Sequence, residues 1–348
     1  MKKILLLTLL SAFSINAQTP SNYVTGFNTP TGIAFDASGN LFVADNVTYK
    51  VTKVTPGLVQ SNFVTLNGTP QQIAFDASGN LWSAGSGIAQ RIEKITPAGV
   101  VTVYSTTGGP YGIAIDATGN VFYSEESGGN IKKISTTGTV TTFVSGLLQP
   151  NGLAFDKAGN LYVADKGAGA IKKITSAGVV TTIVTFLSSP NNLAFAPNGD
   201  LYISCGAVNR IFRLPAGGAD GDQTQFYRFN VDYDTPAQMT VYNGNLYVST
   251  GSSTKKVIKL ADPSLGVGDI KKPANDGIAV YPNPATNYLN IEANNVTIET
   301  IELYDLTGRV VKSFKPSDVK DNKIILPNVT SGNYILKVNN TSKKIIIK

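Results

Sequence analysis

The sequence predicts an all-β chain: a six-bladed β-propeller followed by a small immunoglobulin-like β-sandwich. Three observations predict it. One motif recurs at a spacing of forty residues, and each copy reads as short strands divided by turn residues. The repeat then stops near residue 262, and about seven further short segments of strand composition follow.

The repeat is marked by Pro30, Pro70, Pro110, Pro150 and Pro190, each followed by a close variant of TGIAFDASGNLFVAD (31–45). A weaker sixth copy starts at Pro236, forty-six residues after the fifth. Fixed periods of this length signal repeat architecture. Within a unit, Ile33–Asp36 reads as an inner strand and Asp36 to Asn40 as a turn. In such a turn the Asp side chain caps backbone amides and Gly takes positive φ. Leu41–Ala44, Lys50–Val54 and Asn62–Leu66 supply the remaining strands. Apolar residues occupy both parities, as in Leu161 to Ala164, which suits a sheet covered on both faces. Four strands per forty residues, stacked radially, make a propeller.

The sixth unit offers only three strands before the chain turns polar: Gln238–Tyr242, Asn245–Thr250 and Lys256–Leu260. Tyr23–Phe27 resembles the fourth strands of other units. It is expected to complete the last blade, so that no edge is left open. The expected organisation is therefore a signal peptide over 1–17, a propeller over 18–262, a linker over 263–277 and a C-terminal domain over 278–348. The signal reading rests on Lys2 and Lys3, the apolar run from Ile4, and small residues ending at Ala17. No later segment is long and apolar enough to span a bilayer as a helix.

The proline and the Gly-Ile/Leu-Ala-Phe-Asp-x-x-Gly-Asn-Leu-Tyr-Val-Ala-Asp run resemble NHL-type propeller repeats and their relatives. Those relatives include the gluconolactonase and strictosidine-synthase-like group and the streptogramin lyases. At the C-terminus, Tyr281-Pro282-Asn283-Pro284, then Leu303 to Arg309 with Gly308, then Gly332-Asn333-Tyr334 resemble the type A sorting domain of type IX secretion cargo. That resemblance implies passage through the periplasm and outer membrane. The type IX machinery is then a partner, and the destination is the cell surface or the medium.

Charge divides in the same place. Residues 18–270 carry sixteen basic and sixteen acidic groups, whereas 271–348 carry eleven and seven. The large domain thus lacks the footprint of a nucleic-acid binder. Lone Cys205 excludes an internal disulfide, and a monomer is expected. The sequence contains no histidine. That removes Ser-His-Asp and Cys-His arrangements and the commonest transition-metal ligand. Streptogramin lyases depend on histidine, so their chemistry is not expected. Lactonases of the gluconolactonase type imply a divalent ion held by carboxylates and Asn at inner-strand starts. Here Pro150-Asn151-Gly152-Leu153 resembles the Asn motif, but the carboxylate ligands have no counterpart.

Two rings of candidate ligand residues remain at one mouth of the channel. The residues after the prolines include Gln71, Tyr111, Asn151 and Asn191, and the ends of the second strands include Asp45, Glu125 and Asp165. The polar lining is densest over blades three to five. The expected role is binding of a glycan, a peptide or a partner protein, with no cofactor. An atypical metal-dependent hydrolase and a structural or adhesive surface module are the alternatives. The same carboxylates also suit loop bracing by backbone hydrogen bonds. Aromatics at Phe42, Trp82, Phe122, Tyr162, Tyr202 and Tyr247 are expected to pack blade on blade. A calcium ion is conceivable in the loop Gly217 to Asp222 with Asp232 and Asp234, although the spacing matches no full ligand set.

Overall fold

The computed structural model describes residues 20–348, apart from 88–89, 230–234, 252–254, 262–277, 282–284, 294–296, 306–308, 327–328, 340 and 348. The expected signal and linker, Pro282, Asn283, Pro284 and Gly308 of the sorting motif, and Asp232 and Asp234 lie outside the described residues. The chain divides into two compact units, 1–267 and 268–348.

The first unit is six antiparallel four-stranded sheets. Blade 1 consists of Pro30–Phe35, Leu41–Asp45, Lys50–Val54 and Gln60–Thr65, and blades 2 to 5 repeat it. Blade 6 takes Pro236–Tyr242, Asn245–Thr250 and Lys256–Ala261 from the end of the unit and Pro20–Thr25 from its beginning. Pro20 pairs with Leu260 and Thr25 with Lys256, with one bulge between Asn22 and Val24. The closure read from Tyr23–Phe27 is therefore present, shifted by a few residues. The six inner strands neighbour one another around a closed ring, blade 6 returning to blade 1.

Each unit folds this way for local reasons. In the first turn, Asp36 Oδ1 accepts the N–H groups of Ser38 and Asn40, and Asn40 Nδ2 returns to Asp36 Oδ2. Asp76, Asp116 and Asp156 repeat the arrangement. Gly39 closes the turn at φ +81°, a region open to glycine at little cost.

Aromatic pairs then lock neighbouring blades. Phe42 meets Phe75 at 4.9 Å, Phe122 meets Phe155 at 5.2 Å, Tyr162 meets Phe195 at 4.9 Å and Tyr247 meets Phe35 at 4.7 Å, all edge to face or nearly so. Such contacts add about 0.5–1.5 kcal/mol each beyond the burial of the rings. Cys205 is fully buried, and burial pushes its thiol up to about 12, the mark of an inert packing residue.

The second unit has one three-stranded and one four-stranded sheet around a single apolar core that includes Leu289, Ile301, Leu336 and Ile345. Its seven strands run from Ile278–Tyr281 to Thr341–Ile347, matching the seven read from the sequence. Tyr281 ends the first strand opposite Asn290, and Gly332 starts the sixth opposite Ile347. Tyr334 is buried, and its hydroxyl donates to the Thr330 carbonyl at 2.7 Å.

Candidate functional site at the strand-start mouth

A bulge builds the first ring. In every blade the register slips just after the proline, for example between Pro30 and Gly32 and between Pro190 and Asn192. Pro110, Pro150 and Pro236 show the same slip. Proline is tolerated at a strand start, where its missing N–H costs no ladder bond. The bulge removes the next residue from pairing and re-aims its side chain. Those residues are Thr31, Gln71, Tyr111, Asn151, Asn191 and Ala237.

Three of them form one chain. Asn151 Nδ2 donates to Asn191 Oδ1 at 3.0 Å, and Asn191 in turn hydrogen-bonds the Tyr111 phenol. Burial pushes that phenol above its ordinary range, the hydrogen bond from Asn191 opposes the rise, and the charge of Glu126 adds to it. Asn151 is fully buried, and its Oδ1 has no hydrogen-bond partner among the described residues. This corrects one expectation: Asn151 and Asn191 do not both stand open in the channel. Asn191 is half-buried, whereas Asn151 sits behind it. Gln71 stands apart from this chain, its Nε2 donating to Ser86 Oγ at 2.7 Å.

The second ring is largely spent on loops. Asp45 is buried and accepts the N–H groups of Asn28, Thr29, Val47 and Thr48. Burial pushes its carboxyl up, but these four N–H groups outweigh that and hold it below the usual carboxylate range. Asp165 is likewise buried and accepts the N–H groups of Leu148 and Gln149. Glu125 differs. The loop it would brace is tied instead by Gln90, whose Oε1 accepts the Gly109 N–H. Glu125 Oε2 takes Asn130 Nδ2 at 2.9 Å and lies 3.9 Å from Lys132 Nζ. The Asp220 carboxylate accepts the backbone N–H and hydroxyl of Thr185, just past the last strand of blade 4, and Asp222 accepts the Ala219 N–H within its own loop. Among the described residues no group of three or more metal-ligating side chains converges.

Sequence reasoning missed the channel's interior. One residue further along the inner strand stand Gly32, Gln72, Gly112, Gly152, Asn192 and Gln238. Gln238 reaches across from blade 6: its Oε1 accepts the N–H groups of Ile33 and Ile73, and its Nε2 donates to the Ile73 carbonyl. Asn192 Oδ1 accepts the Met239 N–H at 2.8 Å. The signal was the restriction of one repeat position to glycine or an amide. Beyond these residues the channel opens the other way, into a cavity of about 380 Å³ at the turn end, lined by Phe35, Phe75, Phe195, Met239 and Tyr242 among others.

Residues 17–219 match the virginiamycin B lyase family, and residues 279–348 match the secretion system C-terminal sorting domain. None of the curated proteins compared with the chain matches it. A streptogramin B lyase structure is similar at 17% identity and a TM-score of 0.56, over 70% of this chain and 96% of its own. A catalytically inactive histidine-to-alanine variant of virginiamycin B lyase from Staphylococcus aureus, with quinupristin, covers 79% of this chain and 96% of its own. Its identity is 17% and its TM-score 0.55. A gluconolactonase from Xanthomonas campestris gives 14% identity and 0.59, over 71% and 90%. At these identities the likeness is one of fold. The tail is a secretion sorting domain, as its three motifs imply. The family match takes in the first four repeats, most of the fifth and more than half of the sequence, and the chain belongs to the virginiamycin B lyase family.

Proposed function

We propose that this propeller binds a glycan, a peptide or a partner protein at its strand-start mouth and does not transform it. The sorting tail implies export through a type IX secretion system, so the ligand is met at the cell surface or outside the cell. The observation that carries the binding reading is the chain Tyr111, Asn191, Asn151, which holds a phenol and a half-buried amide together at the mouth. Asn191 is half-buried at the mouth, where a ligand can meet its amide, and the hydrogen bond from Asn151 behind it fixes that amide's orientation. Tyr111 adds an aromatic body with a polar tip, a combination enriched at binding surfaces.

The absence of histidine supports binding over turnover within this family. The staphylococcal relative whose histidine is replaced by alanine is catalytically inactive. The carboxylates of the second ring are engaged, Asp45 and Asp165 by backbone N–H groups and Glu125 by Asn130.

An array of glycans and peptides followed by calorimetry tests the reading. Asn191→Ala is expected to weaken binding by about 1–2 kcal/mol and Tyr111→Phe by about 1 kcal/mol, the usual yield of one or two hydrogen bonds. Replacing Asn151 is a poorer test, because its full burial couples it to stability. Unchanged affinity in both variants would move the site away from this mouth.

A further inference from the structure

The junction between blades 2 and 3 departs from its neighbours in a way packing alone does not explain. At four junctions a phenylalanine of one blade meets the recurrent aromatic of the blade beside it: Phe75, Phe155, Phe195 and Phe35. At the junction of blades 5 and 6 the place is taken by Val241, and Phe226 and Tyr227 fill in around Tyr202. At the junction of blades 2 and 3 it is taken by Ile115, while the recurrent aromatic is the sole tryptophan, Trp82. Trp82 turns to stack on Tyr104 of its own blade, ring centroids 5.6 Å apart at 28°. The corresponding pair one blade later, Phe122 and Phe143, meets edge to face at 81°.

The exchange leaves space. A cleft of about 310 Å³ lies between blades 2 and 3, bounded by Trp82, Tyr104, Lys94, Ser78, Thr118 and Ser135 among others. The cleft at the regular junction between blades 3 and 4, lined by Phe122, Phe143 and Phe155, is only about 90 Å³. The larger volume sits at the small end of ligand pockets, roughly 300–1,000 Å³, and has room for a single ring.

Its lining is of two kinds. Trp82 and Tyr104 form an aromatic wall, fixed by the hydrogen bond from Trp82 Nε1 to Asp76 Oδ2 at 3.0 Å. The Asp76 carboxylate and the side chains of Ser78, Asn80, Thr118 and Ser135 are among the rest of the lining. The Asn80 amide and the Thr118 and Ser135 hydroxyls also hydrogen-bond within their own turns. Lys94 holds its ammonium 5.3 Å from the Trp82 ring centroid, and no carboxylate pairs with it among the described residues. Its equivalent Lys173 pairs with Asp156. Blade 3 offers Gly138 beside the Tyr104 ring, where an added Cβ would come within 3.8 Å of it.

We infer that this cleft binds one pyranose unit of a glycan, independently of the strand-start mouth. A pyranose has an apolar C–H face and an equatorial rim of hydroxyls. The first fits an aromatic wall, and the second fits short hydroxyl and amide side chains with a mobile ammonium. Turn residues supply the rim, so the cleft lies at the turn end of the blades, remote from the Asn191 mouth.

Because Trp82 is the only tryptophan, its fluorescence reports on the cleft alone. The test is titration of the full chain with neutral trisaccharides of glucose, mannose, galactose and N-acetylglucosamine while Trp82 emission is recorded. At least one is expected to shift the emission saturably. Ile115→Phe restores the regular junction, and it is expected to raise the melting temperature while weakening that binding at least tenfold. Tyr104→Ala is expected to weaken it at least tenfold without the gain in stability. Asn191→Ala is expected to leave it unchanged, which separates the cleft from the mouth. No saturable shift with any of the four sugars would overturn the inference. So would full affinity in a folded Ile115→Phe protein or in Tyr104→Ala.

Discussion

Removing residues 20–27 is expected to lower the melting temperature of the propeller by about 10–20 °C or to prevent folding altogether. Among the described residues, the strand Pro20–Thr25 is the only partner of the outer side of Lys256–Ala261. Its loss removes several backbone hydrogen bonds at about 1 kcal/mol each. It also takes away the buried side chains of Val24 and Phe27, 6% and 7% accessible, whose burial contributes about 1.5–3 kcal/mol each. The edge-to-face contact of Tyr23 with Tyr247, at 4.9 Å, goes with them. Together these approach the whole stability of an ordinary domain, about 5–15 kcal/mol. For a unit of this size each kcal/mol moves the midpoint by about 2–4 °C. The freed strand would also present an open edge bearing Val257, Ile258 and Leu260, so aggregation should accompany the loss. Thermal unfolding followed by circular dichroism checks this. A truncated protein melting within a degree or two of the parent would refute closure by the N-terminal strand.

Gly112→Ala should be nearly as damaging, although it adds one carbon. The inner strands of blades 3 and 4 approach so closely that a Cβ at Gly112 would stand 2.1 Å from the Asn151 carbonyl oxygen and 3.0 Å from Ser124 Oγ. Ser124 Oγ is the hinge of that contact. It accepts the Gly112 N–H at 2.8 Å and donates to the Asn151 carbonyl at 2.7 Å. The backbones must separate, and the serine cannot follow both. Overpacking of this kind costs about 1–3 kcal/mol, occasionally more, and here the broken hydrogen bonds add to it. A loss of about 3 kcal/mol or more in chemical denaturation is expected. Gly206→Ala is the control: no atom lies within 4 Å of its Cβ position, and a change within about 0.5 kcal/mol is expected.

The contrast between these two glycines shows what the sequence could and could not reveal. A forty-residue period with a proline at each start places every strand, because the blade is a local unit and its turns carry their own chemistry in Asp36, Gly39 and Asn40. The missing fourth strand of blade 6 was legible for the same reason, since one strand composition was short at one end and spare at the other. What a repeat conveys is position, not partner. Asp45, Glu125 and Asp165 share one place in the motif, yet two of them tie their own loops while Glu125 turns to Asn130. That divergence depends on Gln90 reaching the Gly109 N–H from a neighbouring loop, a contact no spacing discloses. Likewise Asn151 and Asn191 are forty residues apart and equivalent in the motif, but one is sealed behind the other. The restriction of the position of Gly112 and Gln238 to glycine or an amide was visible in the sequence. Its meaning appears only when the inner strands are brought around the ring.

The fate of a bound ligand tests the central claim, binding without turnover, most directly. A ligand retained on the array would be incubated overnight with an equal concentration of the protein and then released and chromatographed. The account predicts that all of it is recovered unchanged, with saturable binding by calorimetry that weakens in Asn191→Ala. Recovery of a new product in proportion to the protein present would contradict it and would make this chain a catalyst without histidine.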